Sequence, residues 1–312
     1  MNSSIARHFS AFKNELSGHY GFKPSFVFFD LTLGDGGHTE EALLAGCRVV
    51  SLEIDPEAIE RAIGFISPQF TPLVIDPETF TGSVPQDFSW IIIRSNFIHL
   101  SSLVQKLSLP QIDGLIADLG PSQFQVLSPG RGFSFLLDEP LDMRLDKNLG
   151  VTAADLLAVL NEGELADLLA LADEPFAKPL ARVIVKQRQL SPITTTQQLS
   201  ALVSRVKKAR FPGRIHPATQ VFMALRMVVN LERENIRLLL SQIPPLLSPN
   251  GLLGVISFHS GEDKLVKDFI TEMEAKKILY AINKKPIEPS TKELSISQRT
   301  RSAKLRLAKK IT

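Results

Sequence analysis

Five short apolar runs, separated by stretches of different period, constrain this chain more than any other feature. They are Phe26 to Leu31, Arg48 to Ile54, Trp90 to Ser95, Gly114 to Leu119 and Leu252 to Phe258. Short, nearly continuous apolar runs are what strands buried on both faces require. Helical patterns follow the first two, at Thr39 to Ala45 and Pro56 to Ile66. This alternation predicts an α/β fold with a Rossmann-like, doubly wound sheet. Ile278 to Ile282 and Ala303 to Ala308 are the remaining strand candidates. Ser260 and Asp263 are expected to cap a helix running to about Lys276, while the Pro-, Thr- and Ser-rich stretch Ser67 to Gln86 reads as an irregular insertion.

Between the fourth and fifth runs the period changes. Thr152 to Leu160 and Asn161 to Ala172 are helical, the second opened by the capping-box pair Asn161 and Glu164. Thr194 and Gln197 form a similar pair ahead of Leu199 to Lys208. Pro217 to Ser241 reads as one long helix, and Pro244, Pro245 and Pro249 mark a loop returning to the sheet. No strand is needed here. A mostly helical second domain, residues 125–230, is therefore expected to be inserted into an α/β domain formed by residues 1–124 and 231–312.

The 312 residues are 44% hydrophobic and 22% charged, enough to bury a core. A single cysteine, Cys47, rules out an internal disulfide and fits a reducing, cytoplasmic setting. The apolar runs are too short to span a bilayer, and the first residues, with Arg7 and Lys13, lack an apolar signal core. No membrane partner is expected. Net charge is only +2, but its distribution is uneven. Pro175 to Leu231 contains ten basic residues and no acid, and Arg299 to Lys310 holds a second basic cluster. Such runs either form a solvated helical face or neutralise phosphates. Lys207, Lys208, Arg210 and Arg214 are the candidate RNA contacts.

The first strand runs into Asp30-Leu31-Thr32-Leu33-Gly34-Asp35-Gly36-Gly37-His38-Thr39, and the second ends in Glu53-Ile54-Asp55-Pro56. Glycines at a strand-to-helix turn admit a ligand close to the backbone, and the helix start offers free N–H groups. An acid at the second strand's tip suits ribose hydroxyls. A dinucleotide fingerprint would want Gly or Ala where Thr39 stands. The acid at the end of the first strand, Asp30, is placed to orient the loop or to meet the amino group of a methionine moiety. Both features favour S-adenosyl-L-methionine over a nicotinamide cofactor.

Further segments carry a resemblance. Asp113 to Gly120 reads DGLIADLG, Arg131 to Phe135 RGFSF, Pro140 to Arg144 PLDMR and His216 to Thr219 HPAT, followed by Ala224-Leu225-Arg226. Ile256 to Ser260 reads ISFHS, followed by Glu262-Asp263, and Arg301 to Arg306 reads RSAKLR. Together with the glycine loop and in this order, they resemble the bacterial 16S rRNA cytosine-N4 methyltransferases, a class I methyltransferase family with an inserted helical domain. The resemblance implies cofactor contacts at Gly36, Gly37, His38, Glu53, Phe97, Asp118 and Gln125; Asp30 and Gly34 of the loop are further candidate cofactor contacts. It also implies small-subunit rRNA as substrate, as part of the assembled subunit near the decoding centre. A homodimer is compatible with it. The chain has Glu53 where the family usually has Asp, Pro121-Ser122-Gln123 where it prefers Val-Ser-Ser, and Gly261 where it has Leu.

Asp118, at the end of the fourth strand, is the candidate to orient the target amine or to position the cofactor. His259, after the fifth, is a candidate to approach the base or its phosphate, or a structural group. No Cys/His/Asp grouping has metal-ligand spacing, so no catalytic metal is expected. Two other readings compete with methyl transfer: a non-catalytic RNA-binding or ribosome-assembly factor that keeps the fold, and a dinucleotide-dependent oxidoreductase.

Overall fold

The structure is a computed structural model, and it describes residues 10–207 and 216–311, apart from the side chain of Gln123. The chain divides into two compact units, one formed by residues 1–120 and 233–312 and the other by 121–232.

The first unit is an eight-stranded sheet. Its strands are β1 (Val27–Asp30), β2 (Arg48–Glu53), β3 (Leu73–Ile75), β4 (Trp90–Arg94), β5 (Ile112–Asp118), β6 (Leu247–Ser257), β7 (Leu279–Ala281) and β8 (Lys304–Lys310). Their spatial order is β3-β4-β2-β1-β5-β6-β8-β7. All pairs are parallel except those of β8 with β6 and β7. With β3 set aside as an added edge, this is the class I methyltransferase arrangement. Apolar side chains fill both faces: Phe29, Val50, Ile91 and Leu115 pack on one, Phe28, Val49, Ile92 and Ile116 on the other. Two-sided burial is why these strands read as continuous apolar runs. Helices α1 (Leu16–Tyr20), α2 (Gly37–Leu44), α3 (Pro56–Phe65) and α4 (Leu100–Lys106) belong to this unit. Asp55 caps α3 by accepting the Glu57 N–H, with Pro56 in the first turn.

The Tyr20 ring lies against the sheet, its hydroxyl donating to the Leu115 carbonyl at 2.7 Å. It fits because β6 has Gly254 beneath it; a Cβ there would overlap the hydroxyl.

The second unit is helical: α5 (Gln123–Leu127), α6 (Ala153–Val159), α7 (Glu162–Ala170), α8 (Ala177–Leu190), α9 (Thr196–Lys207) and α10 (Thr219–Val229). Asn161 and Glu164 close the capping box of α7. Leu165, Leu169, Leu180, Ile184, Leu199, Val203 and Leu225 form its core. The chain then re-enters the first unit through α11 (Glu232–Leu246), and α12 (Ser260–Ala275) and α13 (Thr291–Ile296) complete it.

Several expectations change in detail. Ser67 to Gln86 contains an edge strand, β3, pairing with β4. The expected long helix at 217–241 breaks at Leu231, whose φ is 50°. Asn230 serves the break: its side chain accepts the Leu145 N–H and donates to the Met143 carbonyl. Pro244 and Pro245 lie in the last turn of α11, and Pro249 lies inside β6, so no separate loop joins them. The cap ahead of α9 is shifted by one residue: Gln198 accepts from the Thr194 and Thr195 N–H groups. His259, not Ser260, is the N-cap of α12, accepting the Glu262 N–H at Nδ1. Among the described residues, no helix is long and apolar enough to cross a membrane.

Candidate active site at the carboxyl edge of the sheet

β1 sits between β2 and β5, so the chain's progression reverses there. The carboxyl ends beside such a reversal form the usual ligand crevice of an open α/β sheet. The residues at these ends are the glycine loop after β1, Glu53 at the end of β2, and Asp118 at the end of β5.

Asp30 is fully buried and fixes the loop from below. Its carboxylate accepts the Thr32 N–H at 3.2 Å and the Thr39 hydroxyl at 2.8 Å. Thr39 in turn meets Ser51 Oγ at 2.8 Å, and Ser51 accepts the Trp90 indole N–H. Thr39, at the position where a dinucleotide site would have Gly or Ala, is therefore a buried polar brace. Of the two roles open to Asp30, orienting the loop is the one its contacts serve. Burial raises the Asp30 pKa, against the lowering effect of His38 and of these hydrogen bonds.

The loop is tied to its neighbours at three further points. Thr32 Oγ1 accepts the Asp118 N–H at 2.7 Å. Arg61 of α3 donates to Asp35 at 3.0 Å. Glu53 accepts the Gly34 N–H on Oε2 and the Ile54 and Asp55 N–H groups on Oε1, all at 2.9–3.0 Å. Burial pushes the Glu53 carboxyl up to about 6, despite those three donors. Gly36 has φ +76°, and a Cβ there would stand 2.7 Å from Ile66 Cδ1. A Cβ on Gly37 would overlap Ser10 Oγ. The bare backbone of this turn is thus imposed by packing from α3 and from the N-terminal segment.

His38, in the first turn of α2, is 2% exposed. Its Nε2 lies 3.6 Å from Asp118 Oδ2. Asp118 is partly buried, and its Oδ1, itself buried, has no hydrogen-bond partner among the described residues. Phe97 opens a short 3₁₀ turn after β4, begun by the Asn96 side chain, and packs partly buried against the core. His259 stands at the end of β6, next to β5, with Nε2 3.2 Å from Glu262 Oε1. The capping of α12 and this carboxylate account for its orientation, so its placement requires no catalytic role. Glu262 also accepts the Phe258 N–H, an anchor that the sequence reading missed. Gln125 belongs to the second unit, where it closes a capping box with Ser122 at the start of α5.

The expected RNA contacts fare differently. Lys208, Arg210 and Arg214 lie outside the described residues. Lys207 is buried and pairs with Glu174 at 2.8 Å, also donating to the Pro217 carbonyl. Its ammonium is committed to the helical core, which corrects its expected place on an RNA-facing patch. Arg188 donates to the Leu157 and Leu160 carbonyls, and Arg226 pairs with Glu232. Arg144 pairs with Asp142, with Nε and Nη2 engaging both carboxylate oxygens. Exposed cations of the acid-free run remain at Lys178, Arg182 and Lys186, spaced four apart along one face of α8, and at Arg205 on α9. Arg182 also meets Glu162 at 3.3 Å.

The cradle suits a ligand that joins a nucleoside to a charged amino-acid end. Glycine backbone is bare beside a helix start, a carboxylate stands at the β2 tip, and an unpartnered carboxylate oxygen stands at the β5 tip.

The chain is 36% identical to "Ribosomal RNA small subunit methyltransferase H" of Carboxydothermus hydrogenoformans, over 98% of each protein. It is 39% identical to the protein of that name from Cyanothece sp., over 93% of this chain and 90% of that one. Among solved structures, an rRNA methylase from Streptococcus thermophilus aligns over 99% of this chain and 100% of its own, with a TM-score of 0.44 and 9% identity. The profile of the MraW methylase family matches residues 5–311, and the chain belongs to that family.

Proposed function

We propose that this chain is an S-adenosyl-L-methionine-dependent methyltransferase that modifies N4 of a cytosine in small-subunit ribosomal RNA, near the decoding centre. The supporting observation is Asp118: a carboxylate at the end of β5, with one oxygen unpartnered, beside a glycine loop that the fold holds bare. Relatives sharing over a third of its residues bear the name of a small-subunit rRNA methyltransferase.

The bound cofactor would supply an electrophilic methyl group on a positively charged sulfur. Gly34, Gly36 and Gly37 would admit its amino-acid end to the backbone, and Glu53 would accept from its ribose hydroxyls. Phe97 offers an apolar wall for adenine. The exocyclic amine of cytosine is a weak nucleophile, because its lone pair is delocalised into the ring. The protein must therefore hold it close to the methyl group, roughly 3 Å away, and accept hydrogen bonds from it. The Asp118 carboxylate would be that acceptor, and a carboxylate there also stabilises the positive charge that develops on nitrogen. The base must leave its stack to arrive. Exposed Lys178, Arg182, Lys186 and Arg205 on the helical unit would neutralise phosphates of the surrounding RNA.

The test is transfer of labelled methyl groups to small subunits lacking the modification, followed by nucleoside analysis. N4-methylated cytidine is the expected product. Labelled subunits without it would reassign the target atom, and no label at all would favour a binding factor.

A further inference from the structure

Among the described residues, His38 is the one buried imidazole at the site, and α2, the helix that carries it, gives its side chain no hydrogen bond. Among the described residues, neither Nδ1 nor Nε2 has a hydrogen-bond partner, although the residue is 2% exposed. A buried polar atom left unsatisfied costs about 1–3 kcal/mol, so such a group in a native core calls for a reason. The nearest polar atom recorded for it is Asp118 Oδ2, at 3.6 Å from Nε2. The other oxygen of that carboxylate, Oδ1, is the unpartnered one. An unpartnered buried imidazole thus faces one oxygen of a carboxylate whose other oxygen is also buried and unpartnered among the described residues.

We propose that His38 is a positioning residue for amine methylation: its imidazole, with Nε2 3.6 Å from Oδ2, fixes the orientation in which the Asp118 carboxylate meets the exocyclic amine. The proposal rests on the reading of Asp118 as the amine's acceptor. Asp118 is held by its backbone N–H to Thr32, but its described contacts include no hydrogen bond to the carboxylate itself. Without a donor on Oδ2, the carboxylate can rotate, and the amine loses its alignment. For each methyl group gained, the amine gives up one proton, which carries away the positive charge brought by the sulfonium. The Asp118 carboxylate is the group that would receive it. His38 stays a donor to Oδ2 throughout and changes no bond.

The surroundings favour an imidazole that keeps its proton. Burial by itself lowers the His38 pKa. Asp118, Asp30 on β1 and Glu41 on α2 outweigh that and raise it, and Glu293 on α13 is also within electrostatic reach.

Two measurements test this. The first compares single-turnover methyl transfer by wild type, His38→Met and His38→Gln at saturating donor, with S-adenosylhomocysteine affinity measured alongside. A charge-assisted hydrogen bond is worth about 1.5–3 kcal/mol, so His38→Met should slow single-turnover transfer at saturating donor by roughly 10- to 100-fold. His38→Gln, whose side-chain amide can place a donor where Nε2 stands, should recover most of that loss. The second needs no activity: NMR titration of the histidines in the cofactor-free protein, with His38 assigned from His38→Gln. Asp118→Asn should lower the His38 pKa. A His38→Met enzyme as fast as wild type, or a His38 titration indifferent to Asp118→Asn, overturns the proposal. A wild-type chain that methylates no subunit overturns the functional reading, while the titration still decides whether the two side chains are coupled.

Discussion

The Gly34 N–H donates to Glu53 Oε2 at 3.0 Å, so the acid at the tip of β2 holds the glycine loop. With Glu53 pushed up to about 6 by burial, its charge is lost within an accessible pH range. The unfolded carboxyl titrates near 4.5, so the folded chain binds the extra proton between about 4.5 and 6. The contribution of Glu53 to stability therefore falls as pH rises through that window. With Glu53 as the proposed acceptor from the ribose hydroxyls, the charged form is the one that binds, so cofactor affinity is expected to run the other way. By calorimetry, S-adenosylhomocysteine affinity should be flat above about pH 7 and weaken by about tenfold per unit below 6. Glu53→Gln should bind more weakly at neutral pH and lose this dependence. An unaltered profile in Glu53→Gln would assign the titration to another group.

Gly36 combines a left-handed backbone with a Cβ direction blocked by Ile66. Gly36→Val should abolish cofactor binding and lower the melting temperature, since the backbone conformation alone costs about 1–2 kcal/mol for a side chain with a Cβ. Isothermal titration and thermal melting check both; wild-type affinity in this variant would show that the loop does not form the cradle.

Legibility in the sequence followed the range of the interactions. β1, β2, β4, β5 and β6 were readable because each is a run of side chains buried on both faces. The link between Asp30 and Thr39 was half readable: the motif suggested a methionine-type loop, but the hydrogen bond that gives Thr39 its place requires the folded turn. β3 is three residues in a Pro- and Thr-rich stretch, too short for any period to show. The break at Leu231 depends on Asn230 reaching Met143 and Leu145, more than eighty residues away in sequence. Lys207 looked like a surface cation because its partner, Glu174, lies 33 residues earlier, just outside the acid-free run.

Lys207 and the stripe on α8 should therefore behave differently when neutralised. Lys207→Ala leaves Glu174 buried and uncompensated, a loss of about 3–5 kcal/mol. It should appear as an early unfolding transition in denaturant. Neutralising Lys178 and Lys186 together should leave stability nearly unchanged, weaken subunit binding and reduce its salt dependence. Equal effects from both sets on binding alone would contradict the assignment.

Tyr20 and Gly254 form a second testable pair. Gly254→Ala should destabilise the sheet by about 1–3 kcal/mol, because its methyl group meets the Tyr20 hydroxyl. Tyr20→Phe removes that oxygen and should recover part of the loss in the double variant. Strict additivity in denaturant melts would show that the two do not touch.

The most direct test of the account is labelled methyl transfer to unmodified small subunits by wild type and Asp118→Ala, with cofactor affinity measured for both. The account predicts N4-methylcytidine from the wild type, and a rate lower by about 100-fold or more in Asp118→Ala, as for loss of a group that stabilises developing charge. Wild-type turnover in Asp118→Ala would contradict it.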